Sequence, residues 1–160
     1  MPEATFDLLL QVMGALRAAE LPVTLFGGWA EELRGLCAPR PHRDIDLLYR
    51  AASFEALEAF FHARPAFVEI AAKRFSHKRA ALLEGVMIEF ILVQDEPGGP
   101  CTHFFEDRLR LNWPPDTFDQ SVLAADDHWP VASPAALRFY RAQHGQVELA
   151  YQQARAGQSP

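Results

Sequence analysis

The chain is short of several things, and each shortage excludes a class of protein. Among its 160 residues only Cys37 and Cys101 carry thiols, so neither a disulfide framework nor a four-cysteine zinc site is available. No apolar run approaches the ~20 residues that a membrane-spanning helix needs. Positive charge is scarce as well. Fifteen Lys and Arg stand against 21 Asp and Glu, a formal net charge of −6. General nucleic-acid binding calls for a basic surface that displaces counterions, and this balance argues against it. The opening residues, MPEATFDLLLQVMGAL, carry acid instead of the basic segment of a secretory signal, and they read as a helix. A cytoplasmic protein with no membrane or nucleic-acid partner is expected. The acidic balance is compatible with small cationic substrates.

What is present is the composition of a globular domain, 49% apolar and 22% charged, in a chain long enough to bury one core. Phe6, Leu9, Leu10, Met13 and Leu16 place a helix over Thr5 to Ala19. Val23 to Phe26 reads as a short buried strand, Gly28 to Gly35 as a two-turn helix that Gly35 ends, and Asp44 to Tyr49 as a second strand. Ser53 is a cap for a helix whose inner face holds Phe54, Leu57, Phe60 and Phe61, stopped by Pro65. A strand is expected over Ala66 to Ala71, then a hairpin of Arg79–Leu83 and Val86–Val93 around Glu84-Gly85. DEPGGP, from Asp95 to Pro100, reads as a break. Short strands follow over Cys101 to Phe105 and Arg108 to Trp113, and an irregular stretch runs from Pro114 to Pro130. Ser133-Pro134 starts a helix to about His144, Gly145 interrupts it, and Gln146 to Arg155 resumes. The tail AGQSP is expected to fray. The sum is an α/β (α+β) domain: a small mixed β-sheet flanked by helices, closed by short C-terminal helices.

Two acids carry the chemical interest. In a strand, residues two apart face the same way, so Asp44 and Asp46 share a face while Ile45 and Leu47 point to the core. At ~4 Å and an effective dielectric of ~20, two such charges repel by about 4 kcal/mol. A divalent cation reverses that sign. A third acid, Glu89, interrupts the otherwise apolar run VMIEFILV, where an isolated carboxylate is very costly. Either an arginine or lysine pairs with it, with Lys73, Arg74, Lys78 and Arg79 nearby in sequence, or it faces a site. Two acids on one strand and a third on another suit a two-metal phosphoryl-transfer centre, and magnesium suits a site with few protein ligands. Gly27-Gly28 then has a use, since a turn without Cβ atoms lets backbone approach a phosphate and leads into helix N–H groups.

Phe26-Gly27-Gly28, Asp44-Ile45-Asp46 and Glu89 together resemble the fingerprint of the polymerase β-like nucleotidyltransferase superfamily. More narrowly, GGWA followed by HRDIDL resembles the small adenylyltransferases that act on lincosamides and on the 2″-hydroxyl of aminoglycosides. The resemblance covers about residues 20 to 95 and extends to the helix from Ser133. It implies a single nucleotidyltransferase domain over 1–160, with a catalytic core at about 5–113 and a helical part at about 133–156. It implies that Asp44, Asp46 and Glu89 are catalytic and ligate two Mg2+ ions, Glu89 standing where the family usually has aspartate. That acid either ligates metal or accepts the proton of the attacking hydroxyl. Gly27 and Gly28 would hold the triphosphate of an NTP, ATP in this subgroup, with His42 and Arg43 reaching phosphates or else lying in a solvated loop.

The activity implied is transfer of a nucleoside monophosphate to a hydroxyl of a small molecule, a cationic antibiotic being one candidate, with release of pyrophosphate. Superfamily members that modify proteins, including toxin-neutralising ones, and a non-catalytic nucleotide- or partner-binding domain are the alternatives. The metal motif of a sugar transferase fits poorly, because only 43 residues precede Asp44. The acceptor pocket would be completed by the terminal helices or by a second subunit, which leaves a homodimer open. Trp29 is expected between helix and sheet, Glu31 and Glu32 facing solvent, and Lys73, Arg74, Lys78 and Arg79 in a solvated basic stretch from which one residue could clamp the triphosphate. Cys37 is expected to act as a small hydrophobe. His77, His103, His128 and His144 show no metal-ligand spacing, so surface or core roles are expected.

Overall fold

The computed structural model describes residues 2–157; the last three residues of the AGQSP tail lie outside that range. Thr5 caps α1 (Phe6–Ala18), its hydroxyl accepting from the Leu8 amide at 3.1 Å. The helix buries Leu8, Leu9, Val12, Met13 and Leu16, a stripe spaced three and four apart. β1 (Val23–Phe26) is buried at all four positions and runs straight into α2 (Gly27–Leu33). Next come β2 (Asp44–Arg50), α3 (Glu55–Ala63), β3 (Val68–Glu69) and a single 3₁₀ turn at Ala71–Lys73. The hairpin of β4 (Lys78–Leu83) and β5 (Val86–Glu96) turns at Glu84 and Gly85, both at positive φ. Then follow β6 (Gly99–Phe104), β7 (Leu109–Asn112), β8 (Ser121–Ala124), β9 (Asp127–Pro130) and α4 (Pro134–Ala156).

The described residues form a seven-stranded mixed sheet in the order β1-β2-β5-β4-β3, with β6 joining the far end of β5 to β7. The β2–β5 ladder is parallel, which the crossover through α3, β3 and β4 makes possible; the other ladders are antiparallel. Leu47, Leu48, Ile88 and Phe90 are fully buried at the centre of this sheet, and Leu9, Leu16 and Leu57 pack the same core from the helices.

Five expectations need correction. Phe54, not Ser53, is the cap residue of α3, although the Ser53 hydroxyl still accepts from the Glu55 amide. The strand expected over Ala66 to Ala71 shrinks to two residues because β3 is an edge that pairs with β4 alone, and the chain then winds into the 3₁₀ turn. DEPGGP is not a break: Glu96 pairs with Gly99, so the glycines and proline mark a tight hairpin turn within a continuing sheet. The stretch from Pro114 to Pro130 contains the β8–β9 hairpin, whose turn places Ala125 and Asp126 at positive φ without a glycine. Gly145 does not interrupt α4, which runs unbroken for 23 residues from the Ser133 cap. A lone glycine costs a helix about 1 kcal/mol relative to alanine, too little to end one held by packing. Gly145 is exposed, and a β-carbon there would meet nothing within 4 Å. Gly145→Ala is therefore expected to stabilise the protein by about 0.5–1 kcal/mol. Urea denaturation checks this, and a loss of stability would mean that the glycine is needed.

Candidate active site

Strand register assembles the acids. β2 turns Asp44 and Asp46 to one face while Ile45 and Leu47 are fully buried. Parallel pairing sets Asp46 opposite Glu89, and antiparallel pairing sets the last residue of β1, Phe26, opposite Asp46 on its other side. Residues opposed across a ladder share a face. One oxygen from each of Asp44, Asp46 and Glu89 consequently lies within 4.8 Å of the other two.

The electrostatics of this cluster are unbalanced. Glu89 both pairs with lysines and faces the acids: Lys73 Nζ stands 3.6 Å from one oxygen and Lys78 Nζ contacts the other. Asp46 has no such partner among the described residues. Burial pushes its carboxyl up to about 8, Asp44 and Glu89 push the same way, and Lys78 and Lys73 offset only part. Asp44 is raised by burial first and Glu89 second. Three carboxylates with converging oxygens, and no sulfur or imidazole among them, are a hard donor set that fits magnesium. The basic stretch is not simply solvated. Lys73 and Lys78 reach Glu89, while Arg74 and Arg79 converge on Glu58 at 2.6 and 2.9 Å.

The two glycines are required by close approach. Gly27 sits at φ +66, and a β-carbon there would come within 2.9 Å of Asp46 Cβ and nearer still to its carboxylate. A β-carbon on Gly28 would lie 2.9 Å from His42 Nδ1. His42 is buried, stacks on Trp29 at 4.2 Å between ring centroids, and meets Glu32 at 3.0 Å through Nε2. It packs under the turn and is not among the residues that line the cavity. Arg43 is exposed and makes no ion pair among the described residues. Trp29 is buried as expected. Glu31 and Glu32 do not simply face solvent: Glu31 accepts from Arg141 Nη2 at 2.8 Å, and Glu32 accepts from the Arg40 amide at 2.9 Å. The first of these contacts ties α4 to α2.

The acids open on a cavity of about 440 Å³. Beside Gly27, Asp44, Asp46, Glu89, Lys73 and Lys78, its walls are aromatic: Phe75, Phe104, Phe105, Tyr140 and Tyr151. Burial, then the charges of Asp46 and Glu89, raises the Tyr140 phenol, so it stays a proton donor. His77 is buried, accepts from the Phe105 amide at 3.0 Å through Nδ1, and is held neutral; burial chiefly, with Lys78 and Arg79, lowers it to about 3. The terminal helices are expected at the acceptor pocket, but the sequence does not say which of their residues face it. Tyr140, His144, Val147, Glu148 and Tyr151 all line the cavity and follow the spacing of one helical face.

A mixed sheet flanked by helices, with this acid cluster at one ladder, is the architecture of the polymerase β-like nucleotidyltransferases. A family model for aminoglycoside-2″-adenylyltransferases matches residues 8–141, and the chain belongs to that family. Similar solved structures include the lincosamide antibiotic adenylyltransferase LnuA bound to lincomycin, at 13% identity and TM-score 0.73, covering 96% of this chain and 98% of that one. Another is ANT(2″)-Ia in complex with adenylyl-2″-tobramycin, at 17% identity and TM-score 0.63, covering 96% and 88%. At these identities the likeness shows the fold. No curated protein matches the chain by sequence.

Proposed function

We propose that the protein transfers a nucleoside monophosphate from a magnesium-bound NTP, ATP by family, to a hydroxyl of a small molecule and releases pyrophosphate. The observation that carries this reading is the convergence of Asp44, Asp46 and Glu89, across one parallel ladder, on a cavity of about 440 Å³. Those three side chains would hold the magnesium ions, which when bound supply charge neutralisation on the phosphate oxygens.

The remaining roles belong to the chain. Gly27 lets the turn after β1 lie against Asp46, so phosphate would bind beside the acids. Lys73 and Lys78 sit at the same cavity and can exchange part of their pairing with Glu89 for phosphate oxygens. Glu89 would also accept the proton of the attacking hydroxyl. His42 acts by packing under Gly28, and Arg43 remains an exposed cation at the start of β2. The cavity has the size of small-molecule sites, which supports a small acceptor over a protein side chain. Glu148, in no ion pair among the described residues, adds a carboxylate at its wall suited to an ammonium group. A cationic antibiotic is therefore the acceptor class to try first.

The test is transfer of label from the α-phosphate of each NTP, with Mg2+, over a panel of hydroxyl-bearing small molecules. Label on an acceptor with equal pyrophosphate release supports the proposal. Binding of Mg-NTP with no transfer to any acceptor would favour the non-catalytic alternative instead. Glu89→Gln is expected to lower the transfer rate about 10²- to 10⁴-fold, the range for loss of a general base. Single-turnover kinetics with the identified acceptor measure it, and an unchanged rate would remove Glu89 from proton transfer.

A further inference from the structure

A second group of chemistry-bearing side chains lies outside the acid cluster, on the hairpin that the sequence disguised as a break. Cys101 and His103 are two apart on β6 and so share a face, and Glu96 on β5 joins them because Gln94 pairs with Cys101 and Glu96 with Gly99. Cys101 Sγ lies 3.1 Å from Glu96 Oε2 and 3.6 Å from His103 Nε2, and His103 Nε2 lies 2.8 Å from the same Glu96 oxygen. We propose that Glu96, Cys101 and His103 form a zinc site with one open position, independent of the nucleotidyl-transfer centre.

The geometry is close to what such a site requires. With tetrahedral angles and usual zinc bond lengths, sulfur and nitrogen ligands stand about 3.6 Å apart, sulfur and oxygen about 3.5 Å, nitrogen and oxygen about 3.3 Å. The sulfur–nitrogen separation already has that value. The two distances to Glu96 are shorter by roughly 0.4–0.5 Å. Glu96 is a partly exposed side chain that can draw back by that much. One thiolate, one imidazole and one carboxylate are a borderline-soft set that favours zinc over magnesium.

Supporting contacts surround the ligands. Asp107 Oδ1 lies 3.5 Å from His103 Nδ1, not hydrogen-bonded as it stands but near enough to accept from Nδ1 once Nε2 binds metal. Arg110 Nη2 lies 3.4 Å from the other Glu96 oxygen, Oε1, and holds the carboxylate from behind. His103 and Asp107 also line a separate cavity of about 230 Å³. In the metal-free state protons occupy the centre, with the thiol donating to Glu96. Binding of Zn2+ forms the sulfur, nitrogen and oxygen bonds and releases the thiol proton to solvent. A neutral imidazole proton shifts to Nδ1, facing Asp107. The ion would staple β5 to β6, the strand that delivers Phe104 and leads to Phe105 at the active-site wall.

Cobalt is the probe, because a thiolate ligand gives it a charge-transfer absorption that carboxylates do not. Titration of the reduced protein with Co2+ is expected to show that band saturating at one equivalent, and added Zn2+ should abolish it. Cobalt can also enter the three-carboxylate cluster, so the titration is repeated on Asp46→Asn, where the thiolate band should persist. Cys101→Ser and His103→Gln should lose it, and Asp107→Asn should weaken cobalt affinity about 10- to 100-fold. Cys101 is buried, so if its variant fails to fold, the partly exposed His103 and Glu96 variants decide. No thiolate band in the native protein, or a band unaltered in His103→Gln, would overturn the assignment.

Discussion

Asp46→Asn is expected to make the metal-free protein more stable, by an amount that grows with pH. The carboxyl is held at about 8 in the folded chain against 3.8 for an ordinary aspartate. Between those values the folded state keeps a proton that the unfolded state has released, so raising the pH lowers stability. The penalty is absent below about pH 4 and complete above about pH 8. Asparagine cannot ionise and escapes it, with a gain at pH 8 on the order of a few kcal/mol. His77 contributes the opposite slope: held at about 3 against 6.5, it costs stability as the pH falls below 6.5. That contribution is common to both proteins and cancels in their difference. Denaturant midpoints of native and variant protein from pH 5 to pH 8.5, with a chelator present, measure the effect. Mg2+ should then restore stability to the native protein at pH 8 and leave Asp46→Asn unmoved. An unchanged difference across the range would mean that Asp46 is not held protonated by its surroundings.

Gly27→Ala should lower activity, with an effect on stability opposite to that of Asp46→Asn. An alanine at φ +66 stands in the left-handed region, which costs about 1–2 kcal/mol. Its β-carbon would also press on Asp46, 2.9 Å from Cβ, and relief requires the carboxylate to swing away from Asp44 and Glu89. A loss of about 1–3 kcal/mol in stability is expected. Displacing a positioning group by ~1 Å commonly lowers rates about 10²-fold, and at least that loss is expected in transfer. Thermal denaturation and the transfer assay on one preparation test both parts. Two variants that lower the same activity while moving stability in opposite directions separate charge at the cluster from shape beside it. Full activity in Gly27→Ala would show that the turn is not part of the site.

Much of this was legible in the residues because the relevant signals are local. Alternation places Asp44 and Asp46 on one face whatever else the chain does, and Glu89 stands out because ionised groups are rare in runs like VMIEFILV. What the residues alone do not state is register: that Asp46 lies opposite Glu89 follows from the crossover, which no local pattern encodes. Two of the misread elements share a cause, which is that glycine and proline read as ends. Pro97 and Gly98 are a hairpin turn, and Gly145 lies within a continuous helix. The second of these hid the cavity wall, since Tyr140, His144, Val147, Glu148 and Tyr151 form a stripe only if α4 is unbroken. The β8–β9 turn was illegible for the converse reason, as Ala125 and Asp126 adopt positive φ without the residues that usually signal it. His42, before Asp44, reads either as reaching phosphates or as part of a solvated loop; its burial against Trp29 and Glu32 depends on the fold of the loop.

The most direct test of the three-carboxylate site is transfer of α-phosphate label from a Mg-NTP by the native protein and by Asp46→Asn, side by side with one acceptor. The native protein should label the acceptor and release pyrophosphate only when the divalent ion is present, and the variant, folded and more stable, should fall to background. Transfer that survives the substitution at a native rate would contradict the assignment of Asp44, Asp46 and Glu89 as the metal-holding centre.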